Sequence, residues 1–166
     1  MLAPMNSLPQ TLIAGYGNVW RGDDGVGPAV VERLKLLLPP SSDSTVRCVG
    51  WRQLMPEHAL ECRGINEIWL IDASVDLSPG RVGVRRVRAA AGSVVADPFS
   101  HRWSPALLLQ LAQQLNGVAP RTKLYTIGVG QLTTGDAMSP EAARAVEQLA
   151  RHLARRLARR RAFAPR

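Results

Sequence analysis

The chain has 166 residues, long enough to bury the core of one domain. Apolar residues make up 46% and charged residues 20%, ordinary for a globular protein, and no run approaches the ~20 apolar residues of a membrane span. The net charge of +8 gathers at one end: residues 151–166 hold seven arginines and no acid, leaving 14 basic and 13 acidic groups elsewhere, so no basic patch spread over the whole fold is implied.

Residues 1–10 place no basic group before an apolar stretch, so a secretory signal is not expected and a cytoplasmic location is the default. They read as a flexible N-terminus of a single domain spanning 1–166. An apolar run over 11–15 predicts a strand. A glycine-laced turn follows, Gly15-Tyr16-Gly17-Asn18-Val19-Trp20-Arg21-Gly22-Asp23-Asp24-Gly25-Val26-Gly27, and runs into a helical pattern over 28–38 with Pro39-Pro40 beyond it. Residues 46–49 form a short strand, and 56–63 a helix that opens on Pro56-Glu57 and stops before Gly64.

The unbroken apolar run ending at Asp72 predicts a central strand over 68–72, covered on both faces. Ser78-Pro79-Gly80 turns the chain into a strand over 81–87, and so short a connection favours antiparallel pairing beside its predecessor. Residues 88–103 form a loop holding Asp97, His101 and Trp103. Ser104-Pro105 caps a Leu-rich helix that ends at Asn116-Gly117, a strand covers 123–129, and Ser139-Pro140-Glu141 opens the last helix. In that helix Ala142, Val146, Leu149, Leu153 and Leu157 form an apolar stripe. Arg151, Arg155, Arg159 and Arg160 fall mostly on the opposite, solvated side, and 158–166 is a basic tail. The order βαβαββαβα predicts an α/β three-layer sandwich: about five mostly parallel strands, one antiparallel, with helices on both faces.

In such sheets functional loops gather at the carboxyl ends of the strands. Asp23 and Asp24 follow the first strand, Asp72 ends the central one, and His101 precedes a helix that the sheet can bring to the same edge. Each alone has a plain structural reading as turn, cap or exposed residue; their convergence on one edge makes them candidates. Two carboxylates and an imidazole form a three-ligand set for a divalent metal with open positions for water or substrate. Two carboxylates can equally share a proton as an acid pair. A dinucleotide loop is excluded because the third glycine of G-x-G-x-x-G falls at Trp20, and no Walker lysine follows. His58 and His152 sit in helical patterns with no acidic or cysteine grouping at ligand spacing and read as surface residues. Cys48 and Cys62 fit no CxxC pattern and read as reduced, structural cysteines. Trp20, Trp51 and Trp103 lie in or beside loops near the proposed site, as core or rim packing or as a docking surface.

These residues resemble the nickel–iron hydrogenase maturation endopeptidases. The family's opening motif, G-x-G-N-x-x-x-x-D-[DE]-x-x-G after a strand, is matched from Gly15 to Gly27 in every fixed place. The resemblance spans roughly residues 11 to 157 and assigns the metal-contacting acid of the pair to Asp24. It assigns the strand-terminal acid to Asp72, followed by Ala73, and the helix-preceding imidazole to His101. Asp23 is left as a turn or supporting group. Many members carry an Asp-Gly-Gly-Thr type of loop after the second strand; here it reads Val49-Gly50-Trp51-Arg52-Gln53-Leu54-Met55-Pro56-Glu57, similar to a subgroup variant, which bears on the client's identity.

The resemblance implies an aspartic-type hydrolase that recognises nickel already inserted in the large-subunit precursor and removes its C-terminal extension. The nickel is the client's, contacted by Asp24, Asp72 and His101, and the enzyme is expected to be a monomer with neither a nucleic-acid nor a membrane partner. Two other readings stand beside it: a nickel-sensing chaperone of the precursor that does not cut, and a nucleic-acid binder acting through the arginine tail.

Overall fold

A computed structural model describes residues 10–39, 45–91 and 103–162. Five strands, β1 (Gln10–Tyr16), β2 (Val46–Trp51), β3 (Ile65–Ser74), β4 (Val82–Val87) and β5 (Arg121–Gly128), form one sheet in the order β2-β1-β3-β5-β4. The helices are α1 (Val26–Leu37), the single turn α2 (His58–Glu61), α3 (Pro105–Asn116) and α4 (Pro140–Ala162), and a 3₁₀ turn (Gly22–Gly25) precedes α1. All neighbouring strands run parallel except β4, which is antiparallel to β5. Among the described residues no helix is long and apolar enough to cross a membrane.

Two cores sandwich the sheet. On one face Ile13, Trp69, Ile71, Tyr125 and Ile127 meet Val30 and Leu34 of α1 and the stripe Ala142, Val146, Leu149, Leu153 and Leu157 of α4. On the other, Leu12, Ala14, Tyr16, Ile68, Leu70 and Leu124 meet Ala59 of α2 and Leu108, Leu109 and Ala112 of α3. The period-two alternation of β1 and β3 divides their side chains between these faces. That division also places Tyr16 and Asp72 on the α3 side.

One pairing differs from the sequence expectation. β4 is antiparallel, but its partner is β5, not β3. β5 carries Leu124, Tyr125 and Ile127 and is buried on both faces, so it takes the inner position beside β3. β4 carries exposed Arg85 and Arg86, which suit an edge. α2 is also shorter than expected, because Pro56-Glu57 form turns ahead of it.

Local signals account for the helix ends. Ser104 Oγ accepts from Leu107 N at 3.2 Å, and Gly117 closes α3 in the left-handed region at φ +78°. Ser139 Oγ accepts from Ala142 N at 3.2 Å ahead of α4. That helix runs to Ala162, so residues 158–162 are helical.

Candidate functional site

The turn between β1 and α1 is built on close backbone approaches. A Cβ on Gly15 would lie 2.0 Å from the Gly27 carbonyl oxygen, and one on Gly27 would lie 2.5 Å from that of Ile71. Glycine at both positions lets the start of α1 press directly onto the ends of β1 and β3. Gly17 adopts φ +145°, and a Cβ there would meet the Asp24 carbonyl oxygen at 1.9 Å. Asn18 Oδ1 then accepts from Trp20 N at 3.0 Å, an Asx turn that bends the chain back.

The two aspartates of this turn part company. Asp23 is fully buried. Its Oδ1 accepts from Ser139 N at 2.6 Å, and its Oδ2 from Ser139 Oγ at 2.9 Å, Gln131 N at 3.1 Å and Gly130 N at 3.2 Å. Burial pushes its pKa up, but the donors of Ser139, Gln131 and Gly130 outweigh burial and hold it below the ordinary carboxylate range. Asp23 thus ties the β1–α1 turn to the loop between β5 and α4. Arg21, two residues earlier, helps by donating from Nε to Leu132 O at 2.8 Å.

Asp24 is half-buried, and its Oδ2 accepts from Asn18 N at 2.9 Å. Together with Asp72, also half-buried, it lines a cavity of about 370 Å³ at the carboxyl ends of β1 and β3. Tyr16, Arg21, Arg52, Gln53, Leu54 and Trp103 complete much of the wall. Asp72 Oδ1 accepts from Ala73 N at 2.8 Å, and the Tyr16 phenol hydrogen-bonds the Asp72 carboxylate. Burial, then the charge and hydrogen bond of Asp72, push the Tyr16 pKa well above its ordinary value, so the phenol stays a proton donor to that carboxylate.

Of the three residues singled out as ligands, the cavity brings together Asp24 and Asp72. His101, like Asp97, lies outside the described residues. Among the described residues no group of three His, Cys, Asp or Glu side chains is placed to hold a metal ion. The donors present are two carboxylates, hard oxygen ligands that suit a divalent cation and leave most of its coordination sphere open.

Beside this cavity a shallower depression of about 230 Å³ shares Asn18 and Arg52 with it and is walled by Val19, Trp20 and Trp51. Val19 and Trp20 are 59% and 74% exposed, an apolar lip next to the cavity that holds the two carboxylates. Trp51 is buried and stacks on His58, with ring centroids 3.9 Å apart at 5°. This corrects the surface reading of His58, whose Nδ1 accepts from Met55 N at 3.1 Å and whose pKa burial holds down. His152 is exposed.

Burial pushes the thiols of Cys48 and Cys62 up to about 11, and neither lines the cavity. Both therefore stay protonated at neutral pH, as expected of structural rather than nucleophilic cysteines.

Tyr16, Arg52, Gln53 and Leu54 were not among the expected site residues. Alternation with Leu12 and Ala14 puts Tyr16 on one face of β1, but its contact with Asp72 depends on the β1–β3 register, in which Gly15 opposes Ile71. Arg52, Gln53 and Leu54 belong to the segment in which the chain departs from the commoner family pattern.

No sequence-family model and no curated protein matches the chain. Solved structures do. The [NiFe] hydrogenase maturation protease HycI from Thermococcus kodakarensis superposes with a TM-score of 0.70 at 21% identity, covering 90% of this chain and 93% of its own. The hydrogenase maturating endopeptidase HybD from E. coli gives 0.66 at 21% identity with the same coverage, 90% and 93%. HybD from T. kodakarensis gives 0.61 at 24% identity over 90% and 99%. The chain has the α/β fold of these maturation proteases over nearly its whole length.

Proposed function

We propose that this chain is an endopeptidase that reads nickel in the immature large subunit of a nickel–iron hydrogenase and removes its C-terminal extension. The observation that carries the reading is the pairing of Asp24 and Asp72 in one cavity at the carboxyl edge of a sheet whose fold is that of maturation proteases. His101 supplies the third donor in this proposal.

Nickel in this reading arrives with the client and is substrate rather than a resident cofactor. Carboxylate and imidazole donors suit a borderline divalent ion, and such an ion polarises a carbonyl and acidifies bound water. The protonated cysteines, both outside the cavity, leave water as the attacking group. Its oxygen bonds to the scissile carbonyl carbon, the C–N bond breaks, and the water's two protons end on the released amine, which leaves as ammonium beside the new carboxylate. Tyr16 holds Asp72 in place, and the Asn18 amide holds Asp24. The exposed lip of Val19 and Trp20 beside Arg52 offers apolar and cationic anchors for the client's chain.

The test is the mass of a nickel-loaded large-subunit precursor after incubation. The native chain shortens the precursor at its C-terminus, whereas Asp24→Asn, Asp72→Asn and His101→Ala each leave it at full length with melting temperatures near the native value. Shortening by Asp24→Asn at the native rate rejects the proposal. Binding of the precursor by the native chain with no change in mass favours the non-cleaving chaperone instead.

A further inference from the structure

A second cavity, of about 660 Å³, opens at the opposite end of the sheet, where β3 and β5 begin and β4 ends. Glu67, at that end of β3, is five residues from Asp72, about 17 Å at strand rise. Arg86, Arg88, Arg121, Lys123 and Arg160 line the cavity, against the single carboxylate of Glu67. That carboxylate is already engaged: Arg160 Nη1 lies 2.6 Å from its Oε2, and Trp69 Nε1 donates to its Oε1 at 2.8 Å. Among the described residues Arg86, Arg88 and Arg121 form no ion pair, and Lys123 shares the field of the already engaged Glu67. Val87, Leu109, Ala119 and Pro120 give the wall an apolar portion.

The local physics opposes such an arrangement in the absence of an anion. Arg86 sits directly opposite Lys123 in the β4–β5 register, a like-charge pair that destabilises a ladder. Burial holds the Lys123 amine below its ordinary value, and Arg156, Arg160 and Arg86 press it further down against the pull of Glu67. A rule broken at neighbouring positions without compensation is characteristic of a functional site.

We infer that this cavity binds a small polyanion, a compound bearing two or more phosphate or carboxylate groups on a partly apolar body. Guanidinium forks match either group in bidentate fashion. The volume lies in the range of small-molecule pockets, roughly 300–1,000 Å³. The site is independent of the carboxylate cavity and stands whether or not the chain is an endopeptidase.

Isothermal titration calorimetry of the full chain at physiological salt tests it, with tripolyphosphate and citrate as separate probes. One saturable site is expected for at least one probe. Arg86→Gln and Arg88→Gln each weaken it about tenfold, the loss of one charge-assisted hydrogen bond. Arg159→Gln, an exposed position of α4 outside the cavity, leaves it unchanged. Without ligand, Arg86→Gln melts at or above the native temperature, because it relieves the pairing with Lys123. No saturable heat from either probe overturns the inference, as does an equal weakening by Arg159→Gln. Saturable binding of a hexaglutamate peptide or of single-stranded RNA where neither small polyanion binds also overturns it and assigns the cavity to a macromolecule.

Discussion

At the scale of residues, the adjacent Asp23 and Asp24 meet opposite surroundings. Asp23 spends both oxygens on donors from the β5–α4 loop and Ser139, while Asp24 accepts from Asn18 and faces a cavity. Asp23→Ala strands buried donors of that loop. It should cost about 3–4 kcal/mol and lower the melting temperature by roughly 10 °C in a calorimetric scan. The pH dependence carries a definite sign. Because the native pKa of Asp23 is depressed, its stabilisation is full above the ordinary carboxylate value near 4 and is lost as pH falls through the lower native value. Acid unfolding followed by circular dichroism should therefore show a flatter acid limb for Asp23→Asn than for the native chain. Tyr16→Phe removes the phenol that holds Asp72, and single-turnover cleavage of the precursor should slow about tenfold with little loss of fold. The turn glycines and both aspartates were legible because backbone clashes admit no other residue there and because carboxylates in a glycine turn are conspicuous. Tyr16 was not, since its role depends on register with β3, which no local pattern states.

At the scale of elements, the sheet order follows burial rather than chain proximity. β4 lies next to β3 in sequence, yet its arginines need water and β5 needs two covered faces, so β5 takes the inner place. Hairpin length alone could not reveal that competition. The end of α4 makes a related point. Its apolar stripe was readable from 3.6-residue spacing, and Arg151, Arg155 and Arg159 are exposed as expected. Arg160 is exposed too, yet its guanidinium pairs with Glu67 and stands 5.0 Å over the Trp69 ring, while Arg156 stands 5.7 Å over the same ring. Arg160, exposed as it is, and Arg156 thus clamp α4 onto β3. Arg160→Ala leaves Glu67 desolvated and half-satisfied. Because the guanidinium is itself partly exposed, the loss should be about 1–2 kcal/mol, read as a shift of the urea midpoint at unchanged slope.

At the scale of the whole molecule, the sheet separates two chemistries. Its carboxyl edge carries Asp24 and Asp72, and its far end carries a cationic cavity. Counting charges along the chain concealed the second, because Arg86, Arg88, Arg121 and Lys123 come from separate segments whose totals balance against acids elsewhere. The fold class was legible from the alternation of apolar runs and helical patterns, and the solved maturation proteases share it. The acidic edge was legible as well, since strand ends in a parallel sheet converge.

In the proposed function the carboxylate edge reads nickel before the peptide is cut. Its most direct measurement compares one large-subunit precursor with and without nickel, incubated with the native chain and weighed by intact-protein mass spectrometry. Loss of the C-terminal extension from the nickel-loaded precursor alone is the predicted result. Equal cleavage of the nickel-free precursor would contradict it.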